Sequence, residues 1–422
     1  MRREVPVGAL LALCASALFQ LGCAVRAGTY HPTAVLEVIA AGVLVGVALR
    51  AKGTIDARWL LGPIGIVVLH GALAPLRPPS LDAVSHALTW VPLATLVIAA
   101  TYALPAKRPL AIARFGALIA LGTWLAISIV STSPHPDIDV FDMQTRGADD
   151  LLAGYDPYTT VSVTDTNDRS LAVPYTYPPV QLIITTLARA TTGDVRFAMA
   201  VMLLLAALGA RMALRDRDDL LRDGVALLVI GGPVTAFVLD QALVDVVPLG
   251  LMGAAVWAWS SEKRTFAAVL FGLTFAAKQP LVLGFPLLLL LLGFGKKQLA
   301  IALGVAAAIT LPFLAWDPSG FLRGTVRYFI DLAPRSDALT VTNLIERRFG
   351  HSPGQLLGAA SALLVCTLLW RRVERGLAAM LSLLTIALLC MFATGKIAFC
   401  NYYFLLSGLA AMVAAQLAGS AR

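Results

Sequence analysis

The chain has 422 residues, of which 58% are hydrophobic and only 14% charged, and its mean hydropathy is +0.80. That is more apolar surface than one water-soluble core can hide, so a soluble globular protein is excluded and a bilayer is the expected solvent. The formal net charge of +8 is carried by short Lys/Arg clusters between apolar runs, the distribution that the positive-inside rule produces, so it does not call for a nucleic-acid partner.

In chain order, Met1-Arg-Arg precedes an apolar run that begins at Val5. No small-x-small cleavage site occurs before Arg26 and more spans follow, so this run is expected to stay as a first helix rather than leave as a signal peptide. With the N-terminus cytoplasmic, the next loops alternate: 26–32 outside, 50–58 inside, 77–85 outside and 107–114 inside. A fifth span over 110–130 then delivers the long polar segment 131–177 to the outer face. The basic clusters at 211–222, 262–264, 296–297 and 371–375 are expected inside, which places 240–245, Lys278, 317–352 and 396–403 outside. Residues 178–212 fit this alternation only if one half crosses and the other is re-entrant or interfacial.

These runs predict an all-α fold, a polytopic transmembrane helical bundle of about 13 spans, each near the length a bilayer demands. The expected location is the plasma membrane, in contact with membrane lipid. One membrane domain, 1–422, is expected, with 1–109 as accessory helices holding few polar groups and 110–422 as the core. No internal repeat stands out, which argues against a transporter built from inverted repeats. The five cysteines (Cys14, Cys23, Cys366, Cys390 and Cys400) are odd in number and lack a CxxC spacing, so neither a disulfide framework nor a zinc site is indicated. The five histidines show no ligand spacing. No cofactor is called for, although a divalent cation is left open. Motifs for nucleotide, zinc-protease, serine-hydrolase and kinase chemistry are absent.

Polar chemistry begins after Val130. Asp137, Asp139 and Asp142 follow the fifth span at the height of a lipid headgroup, where they suit a solvated loop as well as a site. Residues 141–154, with Gln144 among them, have the spacing of a short amphipathic helix lying in the interface. Tyr158, Tyr175 and Tyr177 offer rings with polar tips, suited to interface anchoring and to stacking on a sugar. Lys278 sits in an otherwise apolar stretch ahead of Pro280. There it either snorkels to the interface or holds a phosphate. Gln241 with Asp245, Arg335, and Lys396 with Asn401 and Tyr402 are further polar groups in apolar settings on the same expected face. Together they resemble a site for an anionic headgroup.

The order of these pieces resembles the GT-C superfamily of membrane glycosyltransferases, and within it glycosyltransferase family 87. The resemblance covers 129–406 and is carried by Ile138-Asp-Val-Phe, Leu151-Leu-Ala-Gly with Asp156-Pro-Tyr, Tyr177-Pro-Pro, Gln241 with Asp245, Ala277-Lys-Gln-Pro, Trp316-Asp-Pro, Arg335-Ser-Asp and Phe399-Cys-Asn-Tyr-Tyr. It implies a polyprenyl-phosphate-linked sugar donor, mannose or arabinofuranose-like, and a glycan or glycolipid acceptor on the outer face. It also implies an essential Asp in the first large outer loop, matched by Asp139 or, in a second alignment, Asp137. On this reading that carboxylate is the general base of an inverting transfer, and Lys278, with Arg335, stabilises the departing phosphate. Tyr175, Tyr177, Gln279, Asn401 and Tyr402 are then candidate contacts to sugar and phosphate. One departure stands out: the acidic loop ordinarily follows the first span, whereas here it follows the fifth. A transporter or flippase of lipid-linked sugars is the alternative, in which buried ions such as Lys278 line a path at mid-depth.

Overall fold

The computed structural model describes residues 4–73, 94, 97, 98, 100, 101, 108–136, 138–165, 172–214, 219–350 and 356–420. The expected loop 77–85, Asp137 and His351 lie outside the described residues. Among those described, the only strands form two short antiparallel hairpins: β1 (Glu4–Pro6) with β2 (Thr54–Asp56), and β3 (Ser162–Thr164) with β4 (Ala172–Pro174), where Val163 faces Val173. The rest of the regular structure is helical.

Five helices are long and apolar enough to cross a membrane, and seven further apolar helices have 10–17 residues. The long ones are α1 (Val7–Ala24), α4 (Arg108–Thr132), α7 (Arg196–Ala213), α13 (Lys296–Trp316) and α17 (Cys400–Ser420). Between them run α2 (Pro32–Ala48), α3 (Leu61–Leu73), α5 (Asp139–Leu152), α6 (Pro179–Thr192), α8 (Asp219–Ile230), α9 (Thr235–Asp240), α10 (Val246–Ser260), α11 (Arg264–Ala276), α12 (Gly284–Leu290), α14 (Val341–Phe349), α15 (Leu356–Leu369) and α16 (Leu377–Ala393). Among the described residues five helices reach full spanning length where about 13 spans were expected, and the shortening of the others has a physical cause. Gly231-Gly-Pro-Val separates α8 from α9, and Lys278-Gln-Pro separates α11 from α12, because proline cannot supply the amide that the next helical turn needs.

The centre of the bundle is α1 against α17. Of their apolar windows 61% and 78% are buried, against 11% for α13, whose side chains face outward as those of a lipid-exposed helix do. Helix α1, the first of the N-terminal helices, thus packs into the middle. Gln20 of α1 donates to the Leu228 carbonyl at 2.7 Å and to the Ser407 hydroxyl at 3.1 Å. Leu228 lies just ahead of the α8–α9 break. One residue on, the Val229 carbonyl has only Pro233 four residues later and is served instead by the Thr235 hydroxyl at 3.0 Å. A buried break is tolerable because side chains replace the missing amides. Glycine is required at 232, where a Cβ would collide with the Gln20 amide oxygen.

The hydrogen bonds sort the loops into two ends. At one end the Cys23 thiol meets the Cys400 carbonyl, Tyr30 meets Asp337, Arg196 meets Ser133, and Gln279 meets Thr176. At the other, β1 pairs with β2, Arg211 pairs with Asp223, and Ser260 meets Gln416. The segments expected on the outer face gather at the first end, hereafter the loop end. Helix α6 starts beside Thr176 and stops at Gly193, in the left-handed conformation at φ 81°, next to Arg196. Both its termini lie at the loop end, packed on α5, and only α7 continues down the bundle.

Candidate active site

Two helix breaks and one loop supply the site. Lys278, in extended conformation between α11 and the 3-10 turn Gln279–Leu283, is 7% exposed. Its Nζ lies 2.7 Å from Asp245 Oδ1 and 4.2 Å from the centroid of the Tyr402 ring. Asp245 is fully buried, and its second oxygen accepts from Asn401 Nδ2 at 2.6 Å. Carboxylate, ammonium, amide and aromatic face thus satisfy one another in a setting where a lone charge is costly. Asp245 stands at the foot of α10 after a turn in which Ala242 takes φ 51°, a conformation that disfavours any side chain. Beside it the buried Gln241 amide donates to Asp240.

Asp139 opens α5 and is half-buried. Its charge is felt by two tyrosines. Burial first, then Asp139, Tyr402, Asp245 and Tyr175, push the Tyr177 hydroxyl well above its ordinary range. Burial, with Asp165 and Asp139, pushes Tyr328 up to about 12, opposed by Arg335. Tyr177 therefore stands within the fields of both Asp139 and the Asp245 carboxylate that pairs with Lys278. Gln279 closes the floor, its Nε2 donating to the carbonyls of Thr176 at 2.9 Å and Thr325 at 3.2 Å. Arg335 forms a fork with Asp337 at 3.0 and 2.7 Å and lies over Phe399 at 4.6 Å.

The other expected residues take supporting places. Tyr158 is fully buried, donates to the Tyr177 carbonyl at 2.7 Å and packs on Tyr175, Phe313 and Phe321. Tyr175, also fully buried, donates at 3.2 Å to Gln144, which also accepts from Thr185 at 3.2 Å. These three are buried and form the packing beneath the loop. Asp142 is exposed on the opposite side of α5 from Gln144. Lys396 gives its ammonium to the carbonyls of Ile330 and Leu332, each at 2.6 Å, and so fixes the chain leading to Arg335.

Two residues of consequence escaped the sequence. Tyr328 carries no motif. Arg196, 1% exposed, looked like an ordinary residue opening an apolar helix, yet it joins four elements. It donates to the Ser133 carbonyl at 2.6 Å and pairs with Asp194 at 2.6 Å and Asp240 at 3.8 Å. Its guanidinium lies over the Phe141 ring at 4.9 Å. Among the described residues no three His, Cys, Asp or Glu stand close enough to hold a metal ion.

A bundle of apolar helices with a charged, part-buried cluster at one end defines a membrane protein. The profile of glycosyltransferase family 87 matches residues 175–394, more than half of the chain, and the protein belongs to that family. It is a membrane glycosyltransferase, with a sugar donor and an acceptor as its partners. The match includes Tyr177, Asp245, Lys278, Gln279 and Arg335, whereas Asp139, Asn401 and Tyr402 lie beyond it. No curated protein and no solved structure matches the chain.

Proposed function

We propose that this glycosyltransferase moves a sugar, mannose or arabinofuranose-like, from a polyprenyl-phosphate donor to a glycan or glycolipid acceptor. The loop end would face the outside of the plasma membrane, with the basic clusters at the other end on the cytoplasmic side. Asp139 accepts the proton of the acceptor hydroxyl as that oxygen attacks the anomeric carbon. The bond from that carbon to the phosphate oxygen breaks, and polyprenyl phosphate leaves with the electron pair. A single displacement of this kind inverts the anomeric centre.

The observation that carries this reading is Tyr177, which lies in the fields of Asp139 and of Asp245, the partner of Lys278. With Asp139 and the Lys278–Asp245 pair both near one residue, a base for the proton and a cation for the growing phosphate charge are available in one neighbourhood. Lys278 has three donors and one carboxylate partner, so a phosphate can join Asp245 in its coordination. Asn401 and Tyr402 hold that pair in place and complete the contacts on the donor side. The apolar faces of the surrounding helices suit a polyprenyl chain, and membrane lipid otherwise covers them.

The test is transfer of radiolabelled sugar from a panel of polyprenyl-phosphate donors by membranes holding equal amounts of wild type, Asp139→Asn and Asp137→Asn. Asp139→Asn is expected to lose about 10²- to 10⁴-fold in rate, the usual contribution of a general base. Loss in Asp137→Asn alone would move the base to that residue. Equal rates in all three would overturn the mechanism, and transfer from no polyprenyl-phosphate donor would overturn the donor class.

A further inference from the structure

A cavity of about 730 Å³ opens at the loop end, between the β3–β4 hairpin and the chain that follows α13. Thr159 and Ser162 line one wall, and Arg323, Arg327, Tyr328 and Asp331 the other. The size falls within the range of ligand pockets, roughly 300–1,000 Å³. The two guanidinium groups, four residues apart on one helical face, bring two positive charges against one carboxylate. Neither arginine has a carboxylate partner among the described residues. Arg323 spends a single N–H on the Tyr158 carbonyl at 3.4 Å.

The walls are fixed to one another. Thr159 donates to Asp317 at 2.8 Å, and Gln279 holds the Thr325 carbonyl at 3.2 Å. Gly324 passes so close to the first loop that a Cβ there would collide with the Tyr175 carbonyl oxygen. The turn over Arg323–Arg327 is a π-helix, an irregularity that recurs at functional sites. Leu322, Val326 and Ile330, each one position before or three after an arginine, are exposed and spaced by four. That apolar stripe suits hydrocarbon, which puts the neighbouring arginines at the depth of lipid headgroups.

We propose that this cavity is a binding site for the phosphate of a membrane lipid's headgroup, seated by Arg323 and Arg327, and that it positions a lipid-borne acceptor. Planar guanidinium forks match phosphate oxygens two at a time, and Thr159, Ser162 and Tyr328 add hydroxyls for the headgroup beyond the phosphate. Tyr328 borders the cavity and also lies in the field of Asp139, so an acceptor held here shares a neighbouring tyrosine with the proposed base. The acceptor role rests on the proposed function; the phosphate site stands on its own geometry.

The experiment is residue-resolved labelling of arginines by phenylglyoxal in wild-type protein in an uncharged detergent. It is read by mass spectrometry with and without dihexanoyl phosphatidic acid or inorganic phosphate. Labelling of Arg323 and Arg327 should slow at least about threefold with the short-chain lipid while that of exposed Arg348 is unchanged, since phosphate contact shields both forks. Asp331→Asn should deepen the protection by removing the opposing charge. Protection by the lipid and by phosphate identifies a phosphate site; protection by the lipid alone adds that the chain-bearing headgroup is needed. Protection by inorganic phosphate alone, or none, or equal protection of Arg348, overturns the proposal. Labelling needs no turnover, so protection that persists in an inactive protein separates this site from the transferase mechanism.

Discussion

At the scale of single residues, the buried Lys278–Asp245 pair is stable only as a pair. Lys278→Met alone leaves a carboxylate with no cation in a dry setting and is expected to cost about 3–5 kcal/mol. The double change Lys278→Met with Asp245→Leu should recover most of that, because well-packed apolar groups often replace a buried pair without loss. Thermal midpoints in detergent measure both, and both variants should be inactive in transfer if the ammonium serves the phosphate. Lys278 was legible because an ammonium in an apolar run needs an explanation, here a buried carboxylate partner. Arg196 was not, since its partner carbonyl at Ser133 is 63 residues away. The roles of Tyr158 and Tyr175 were illegible for the same reason: a tyrosine in a loop shows neither its burial nor the acceptor its hydroxyl finds.

At the scale of elements, the segment after α13 behaves as one clamped piece. Asp317 caps it, accepting from the Ser319 amide at 3.0 Å and the Ser319 hydroxyl at 2.8 Å. Hydrogen bonds from the Gly320 amide, then the Ser319 and Thr159 hydroxyls, hold its carboxyl near a pKa of about 2. A depressed carboxyl stabilises the fold above its unfolded value, about 3.9, and that contribution is lost as pH falls through about 2. Hydrogen exchange over 318–331, corrected for the intrinsic rate, should therefore speed up between pH 4 and pH 2 in wild type. In Asp317→Asn it should start faster and lose that step. Gly324→Ala should loosen the same segment by about 1–3 kcal/mol, as overpacking does, measured by the thermal midpoint. Trp316-Asp-Pro announces this helix start plainly, with an acceptor at the cap and proline in the first turn. The π-helical turn that follows has no such signature, because it depends on how closely Gly324 approaches Tyr175.

At the scale of the whole molecule, the sequence announces a helical membrane protein through composition alone, but not the lengths of its helices. Those depend on breaks whose amides are replaced by distant side chains such as Gln20. The alternation of basic clusters and polar segments maps onto the two ends of the bundle, which gives the proposed orientation a direct test. On intact cells a membrane-impermeant maleimide should label Ser336→Cys at the loop end at least about fivefold more than Lys297→Cys, a contrast that permeabilisation removes. The reverse ratio would invert the orientation. The pairing of α1 with α17 has a consequence for how the protein is made. Ser16 and Ser407, hydroxyls 3.0 Å apart, are separated by 391 residues. At synthesis rates of about 5–20 residues per second the first waits roughly 20–80 s for the second. Throughout that time the nascent chain holds a helix with a bare glutamine and serine in the membrane. Translation that stops before Cys400 strands that first helix, and the unfinished chain becomes a substrate for quality control in the membrane.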